Sequence, residues 1–338
     1  MSLQTDRLLK TEMIPKHLWD AELTSSVGTG TVTVTPTIAA AYESLIDRSN
    51  LRGLAASGSD VESPVGGLSQ EETDKHFAQR FDNSSARAQF GLLNPLGAMT
   101  RASNALIRSL SGNRVVLTDV PCGAGAASLS LLAVIAELRQ HNVLPREPLD
   151  VHLIGGELSA SARAYAAALL EQIRPSLESQ AIDVIAEWTA WNVTDMLSTR
   201  DLIRRITIAA GQAGKHLLIV ANFSGFLKTS GNQKQAWPQL SELFRYCSGE
   251  GRYAIWIEPD TNAAVSATGI LQWARRGLDI LRVAAQKVRR VFAREDVEAG
   301  LPPDANTTCS AAFQLVLNPS KTVRLGLALM AIDLTEQQ

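Results

Sequence analysis

Cysteine is scarce in this chain: its 338 residues hold three, Cys122, Cys247 and Cys309. The number is odd and the spacing wide, which excludes a disulfide framework and a CxxC-type zinc site. A reducing cytoplasm is therefore the default compartment. Charge of one sign is also missing. The net charge is −2, with 20% charged and 45% hydrophobic residues, so nothing draws the whole molecule to nucleic acid or an anionic membrane, and a polyanionic partner has to be met by a local patch. No stretch approaches the roughly 18 consecutive apolar residues that span a bilayer. The first residues lack the basic-then-apolar pattern of an export signal, and the expectation is an unexported protein with no membrane contact. No internal repeat is present. His17, His76, His141, His152 and His216 show no metal-ligand spacing, so no metal is expected.

A chain of this length exceeds the usual single domain and predicts a core of some 200 residues with an appended segment. The division expected is 1–104, a mainly helical cap or substrate region, and 105–338, a cofactor-binding core. In the first part, Pro36 to Asn50 and Gln70 to Phe90 pattern as helices. Val27 to Pro36 alternates like a strand, and Leu54 to Ser69, rich in Gly, Ser and Pro, reads as an exposed loop. From Arg114 onward five β-like runs alternate with helical stretches: Val115–Thr118, Val151–Gly155, Ile185–Thr189, Leu217–Val220 and Tyr253–Ile257. Such alternation means an α/β fold, a doubly wound, mostly parallel sheet. Ala311–Leu317 and Val323–Asp333 are joined by a turn too short for a crossover helix, so they form a terminal antiparallel hairpin.

The segment RVVLTDVPCGAGAASLSLLAVIAEL, Arg114 to Leu138, sets a strand closed by Asp119 against a glycine turn and an apolar helix. Gly123 and Gly125 allow the backbone to turn tightly and approach a ligand. The glycines do not follow GxGxxG, and no Lys-Ser or Lys-Thr pair follows, so neither a dinucleotide fingerprint nor a P-loop is matched. A different adenosine-bearing ligand is indicated. An acidic residue ahead of a GxG turn, here DVPCGAG, resembles the first motif of class I S-adenosylmethionine-dependent methyltransferases. Five alternating strands ending in a hairpin also resemble that family's seven-stranded sheet, whose final strand inserts antiparallel.

The resemblance implies S-adenosyl-L-methionine as cofactor and S-adenosyl-L-homocysteine as product. It implies that Asp119, Pro121, Cys122, Gly123, Ala124 and Gly125 lie at the methionine end. Glu157, at the end of the second strand, would take the ribose hydroxyls with its two acceptor oxygens, and Leu158 would contact adenine. In WNVTD, Asn192 and Val193 fall at the adenine edge. The fourth strand runs into ANFSGFL, where a doubly wound sheet exposes its ligand crevice. Asn222, Ser224 and Glu258 are the candidate catalytic residues, with Asp260 beside them, and Asn222 and Phe223 also border the cofactor. An Asn-Pro-Pro-Tyr-like run is absent, so methylation of a base amine is not indicated. Cys122 sits in the first motif rather than after the fourth strand, which argues against a nucleophilic cysteine.

Phe77, Arg80, Phe81 and Arg87 recur at helical spacing just before the core. They form either a roof over cofactor and substrate, with an arginine facing a carboxylate, or plain packing. Arg275 to Arg294 give one helix face a basic character, which suits phosphate contact or simple solvation. Three functions remain open: methyl transfer to a small molecule enclosed between cap and core, RNA methylation using the Arg275–Arg294 face, and a non-catalytic cofactor- or partner-binding module.

Overall fold

The computed structural model describes residues 6–23, 27–57, 68–211, 214–248, 251–260 and 307–333. The basic stretch 272–294 lies outside them, as does most of the expected loop 54–69. The start of that loop instead closes a short helix.

Two short strands, β1 (Trp19–Asp20) and β2 (Thr31–Val32), precede the helices α1 (Pro36–Arg48), α2 (Arg52–Ala56), α3 (Gln70–Leu93) and α4 (Thr100–Leu110). α3 begins on a capping box. The Ser69 hydroxyl accepts from the Glu72 N–H at 3.2 Å, and the Glu72 carboxylate accepts from the Ser69 N–H at 3.2 Å, satisfying two end donors reciprocally. The helix stops at Asn94, whose φ of 45° is left-handed, just before Pro95.

The rest alternates: β3 (Asn113–Asp119), α5 (Ala126–Gln140), β4 (Leu149–Gly156), α6 (Ala160–Ser179), β5 (Ile182–Thr189), α7 (Met196–Ala210), β6 (Lys215–Ala221), α8 (Ser224–Thr229), α9 (Gln233–Tyr246) and β7 (Arg252–Glu258). The hairpin β8 (Thr307–Gln314) and β9 (Thr322–Asp333) closes the described chain. All the described strands join one sheet in the order β1-β2-β8-β9-β7-β6-β3-β4-β5. It is mostly parallel, and β9 lies antiparallel to both its neighbours. Among the described residues the sheet has nine strands rather than seven, with β1 and β2 extending the edge beyond β8.

Both faces are covered, which the central strands record by alternation. Val115, Leu117, Val151, Leu153, Leu217, Ile219, Ile255 and Ile257 join the cluster of α3, α4, α5 and α6, whereas Val116, Ile154, Leu218, Val220, Ala254 and Trp256 join that of α7, α8 and α9. Within the second layer Thr118 of β3 bonds the His216 ring of β6 at 2.9 Å, and burial pulls that imidazole down to about 3, so it stays neutral.

The N-terminal segment shares the first of these clusters: Leu18, Trp19, Ile38, Tyr42, Phe77 and Phe90 are buried with the strand residues. Only two residues of the expected strand 27–36 pair as β2. Beyond them the buried Gln89 of α3 takes over, accepting from the Thr35 N–H at 3.1 Å and donating to the Thr33 carbonyl. No helix among the described residues is long and apolar enough to cross a membrane.

Candidate cofactor site

β3 has β4 on one side and β6 on the other, and the chain moves outward in opposite directions from it. A crevice opens at such a switch point beyond the carboxyl ends of the strands. There the chain turns after Asp119. Cys122 N–H donates to Gly156 O at 3.0 Å, tying the loop to the end of β4, and Gly125 N–H closes a turn on Cys122 O at 2.8 Å. Gly123 and Gly125 have φ of 52° and 77°, the left-handed region where a side chain is strained. A Cβ on Gly125 would lie 2.9 Å from Leu129 Cδ1.

Two carboxylates flank this turn. Glu157 Oε2 accepts from the Gly123 N–H at 3.1 Å and Oε1 from the Ser159 N–H at 2.9 Å. Burial raises its pKa above the usual carboxylate value. Asp119 has no exposure to water. Its Oδ2 accepts from the Ser128 N–H in the first turn of α5 at 3.2 Å, whereas Oδ1 has no hydrogen-bond partner. Burial pushes its carboxyl up to about 7.

The cavity above them measures about 410 Å³. Its floor is Asp119, Pro121, Cys122, Gly123, Ala124 and Glu157, and Leu158, Trp191, Asn192, Val193 and Thr194 form one wall. Ala221, Asn222, Phe223 and Phe226 form the other, and Thr73, His76, Phe77, Phe81 and Ser84 of α3 make the roof. Those five positions share one helix face. The roof is fixed to the floor: Thr73 and Ser159 hydroxyls bond at 2.9 Å, Tyr165 donates to Asp74 at 2.6 Å, and Phe77 stacks on Tyr165 with centroids 4.3 Å apart.

Most residues singled out in the sequence therefore meet here, and a few sit elsewhere. Gly125 shapes the turn behind the lining. Arg80 and Arg87 are not among the lining residues; Arg87 Nε donates to Gly326 O on β9 at 3.1 Å. Glu258 is fully buried behind the wall, where Oε1 accepts from the Phe223 N–H at 2.8 Å and Trp256 Nε1 at 2.7 Å and so fixes the turn after β6. Asp260 pairs with Arg324 at 3.0 Å. Ser224 opens α8, and its side chain lies outside the description. Asn192 is in the wall, but its carbonyl already accepts from the Thr194 N–H at 3.0 Å and hydroxyl at 2.8 Å. The Cys122 thiol is buried and its pKa is held well above the ordinary value, chiefly by desolvation.

Asn222 adopts a φ of 54°, donates through Nδ2 to Ser84 Oγ at 3.1 Å and has a buried Oδ1 without a partner. Ser84 was not foreseen. The signal was present as Thr73, Phe77, Phe81 and Ser84, a stripe at steps of four, four and three. Among the described lining residues there is no lysine or arginine, and His76, pulled down to about 4 by burial and by Arg80, is neutral at pH 7.

The donor set suits a cationic, hydroxyl-rich ligand. A fully buried orphan acceptor, a second carboxylate with spare lone pairs and an open face over Gly123, where an added Cβ would meet nothing within 4 Å, all border the cavity.

No protein-family model matches the chain, and no curated protein sequence is detectably similar to it. Solved structures that align with it include a proposed class I S-adenosylmethionine-dependent methyltransferase from Listeria monocytogenes, 11% identical over 90% of each chain with a TM-score of 0.34.

Proposed function

We propose that the chain binds S-adenosyl-L-methionine in this cavity and transfers its methyl group to a small acceptor beneath α3, releasing S-adenosyl-L-homocysteine. The observation that carries this reading is the pair of acids around the glycine turn, Asp119 fully buried and Glu157 half-buried, with no described cationic side chain in the lining. The phosphates of ATP or NAD would meet two carboxylates there, whereas a sulfonium and an ammonium meet compensating charge.

In this reading residues 1–104 supply the roof and 105–338 the cofactor core, and β3 to β9 correspond to the seven-stranded sheet of the family, with β1 and β2 added. Each Glu157 oxygen keeps a lone pair beyond the one its backbone N–H uses, enough for two ribose hydroxyls. Asp119 Oδ1 faces the amino-acid end of the ligand. Leu158, 44% exposed, packs on adenine, and Val193 and the Asn192 amide border its edge. The Asn192 carbonyl is committed to Thr194, so its NH2 is the group left for the base.

When bound, the cofactor supplies an electrophilic methyl carbon on sulfur. The protein's part in this reading is alignment: Asn222 Oδ1 and Ser84 orient the acceptor for in-line approach, with the neutral His76 ring lining the same space. At about 410 Å³ the cavity lies at the low end of the roughly 300–1,000 Å³ of small-molecule sites, which favours a small acceptor.

Calorimetry tests this with S-adenosylmethionine, ATP and NAD in parallel, followed by assay for S-adenosylhomocysteine with candidate acceptors. Binding of the first ligand alone is expected. Preference for ATP or NAD, or no binding, contradicts it; binding without turnover on any acceptor returns the non-catalytic module. Steep salt-dependent RNA binding points instead to RNA methylation.

A further inference from the structure

At the opposite end of α5 from the glycine turn, the fold assembles three potential ligand side chains that the sequence keeps far apart. His17 comes from the turn before β1, and Glu137 and His141 from the last turn of α5, four residues apart and so on one face. His17 Nε2 lies 2.7 Å from Glu137 Oε1 and His141 Nε2 lies 3.2 Å from the same oxygen. All three ligand atoms fall within 4.8 Å of one another. The imidazole centroids are 4.8 Å apart.

We propose that His17, Glu137 and His141 form a binding site for a divalent ion of the zinc class, which clips the chain before β1 to the end of α5. Two imidazoles and one carboxylate are a zinc-type donor set, softer than the all-oxygen sets of calcium and magnesium. Zinc–ligand bonds of about 2.0–2.2 Å put tetrahedral ligand atoms roughly 3.3 Å apart. The cluster reaches that spacing by side-chain adjustment, opening the 2.7 Å contact between His17 and Glu137 by about half an ångström and bringing the two half-exposed rings, whose ligand atoms lie within 4.8 Å, to the same separation. Glu137 is anchored, with its side chain 8% exposed, while the rings of His17 and His141 are 39% and 43% exposed. The ion therefore enters from solvent and keeps an open position for water.

The backbone holds the ligands in place. Leu18 and Trp19 are buried beside His17, their N–H groups both bonded to Pro15 O, and His141 caps α5 through Glu137 O. The 15 residues of α5 place the site about 22 Å from the glycine turn along the helix axis. Its role is thus structural, independent of what the cavity binds. Histidine-to-ligand spacing along the chain gave no sign of it, because 120 residues separate His17 from Glu137.

The full chain, stripped with chelator, is titrated with Zn²⁺ alone against a chromophoric competitor, and with Co²⁺ followed by visible absorption. One equivalent of Zn²⁺ is expected to bind and raise Tm, with a Co²⁺ d–d spectrum lacking thiolate bands. His141→Gln, at an exposed helix end, and His17→Ala should each weaken Zn²⁺ binding at least about tenfold, while their Tm in chelator stays near wild type. Absence of binding in the wild type, affinity unchanged in both variants, or thiolate bands from Cys122, Cys247 or Cys309 would overturn the proposal. Should His17→Ala fail to fold, His141→Gln and the Co²⁺ spectrum decide.

Discussion

Asp119 carries a carboxyl group with no access to water and one oxygen without a partner, which has a measurable cost. An unfolded aspartate titrates near 3.8 and this one near 7, so between those values the folded chain holds a proton that the unfolded chain has released. Stability contributed by the protonated group is full below about pH 4, falls as pH rises, and is level above about pH 7. Asp119→Asn removes that titration and keeps an acceptor for the Ser128 N–H. Urea unfolding at pH 5 and pH 8 should show wild type losing about 2–3 kcal/mol more than the variant between the two; equal losses contradict it. Asp119, Gly123 and Glu157 were legible in the sequence because a strand end, a tight turn and a helix start are local events, written in contiguous residues. The orphaned Asn222 Oδ1 was not, since its condition depends on Ser84, 138 residues away.

At the scale of elements, α3 roofs the cavity with one face and seals the core with the other. Its expected span, Gln70 to Phe90, differs from the observed one by a single turn at the end. The orientation of its arginines was not legible, because helical periodicity fixes which residues share a face but not which face meets the ligand. Arg87 turns toward β9, while Ser84 takes the place at the cavity. α4 was missed for a related reason. Its buried Ser103 and Asn104 look like surface residues in a sequence, yet Ser103 donates to Leu92 O at 2.6 Å, and Asn104 bonds both the Leu8 N–H and the Asp6 carbonyl. Gln89 is the sharpest case of a buried polar side chain replacing strand pairing. Gln89→Leu leaves the Thr35 N–H and Thr33 carbonyl without their partner, and is expected to cost about 1–3 kcal/mol, read as a lower denaturant midpoint at unchanged m. A variant as stable as wild type would show that the segment after β2 finds other partners.

Across the whole molecule, the parallel character of the central sheet and its terminal antiparallel hairpin followed from alternation, while the spatial order of the strands and the nine-strand width among the described residues did not: β1 and β2 have two residues each, β2 pairing with β8 and β1 with β2. Because Leu18, Tyr42 and Phe90 share one cluster with Leu117, Leu153 and Ile257, heating is expected to give one calorimetric transition with equal calorimetric and van't Hoff enthalpies; two resolved transitions would show that the first hundred residues melt independently. The same packing lets α3 close over the switch-point crevice, whose described lining holds the acids Asp119 and Glu157 and no lysine or arginine. The most direct test is calorimetric titration of wild type and Glu157→Ala with S-adenosylmethionine, side by side, with circular dichroism confirming that both are folded. Binding by wild type, weakened at least about tenfold in the variant by loss of a charge-assisted contact worth about 1.5–3 kcal/mol, is the predicted result. Absence of binding to wild type, or equal affinity in both, contradicts the account.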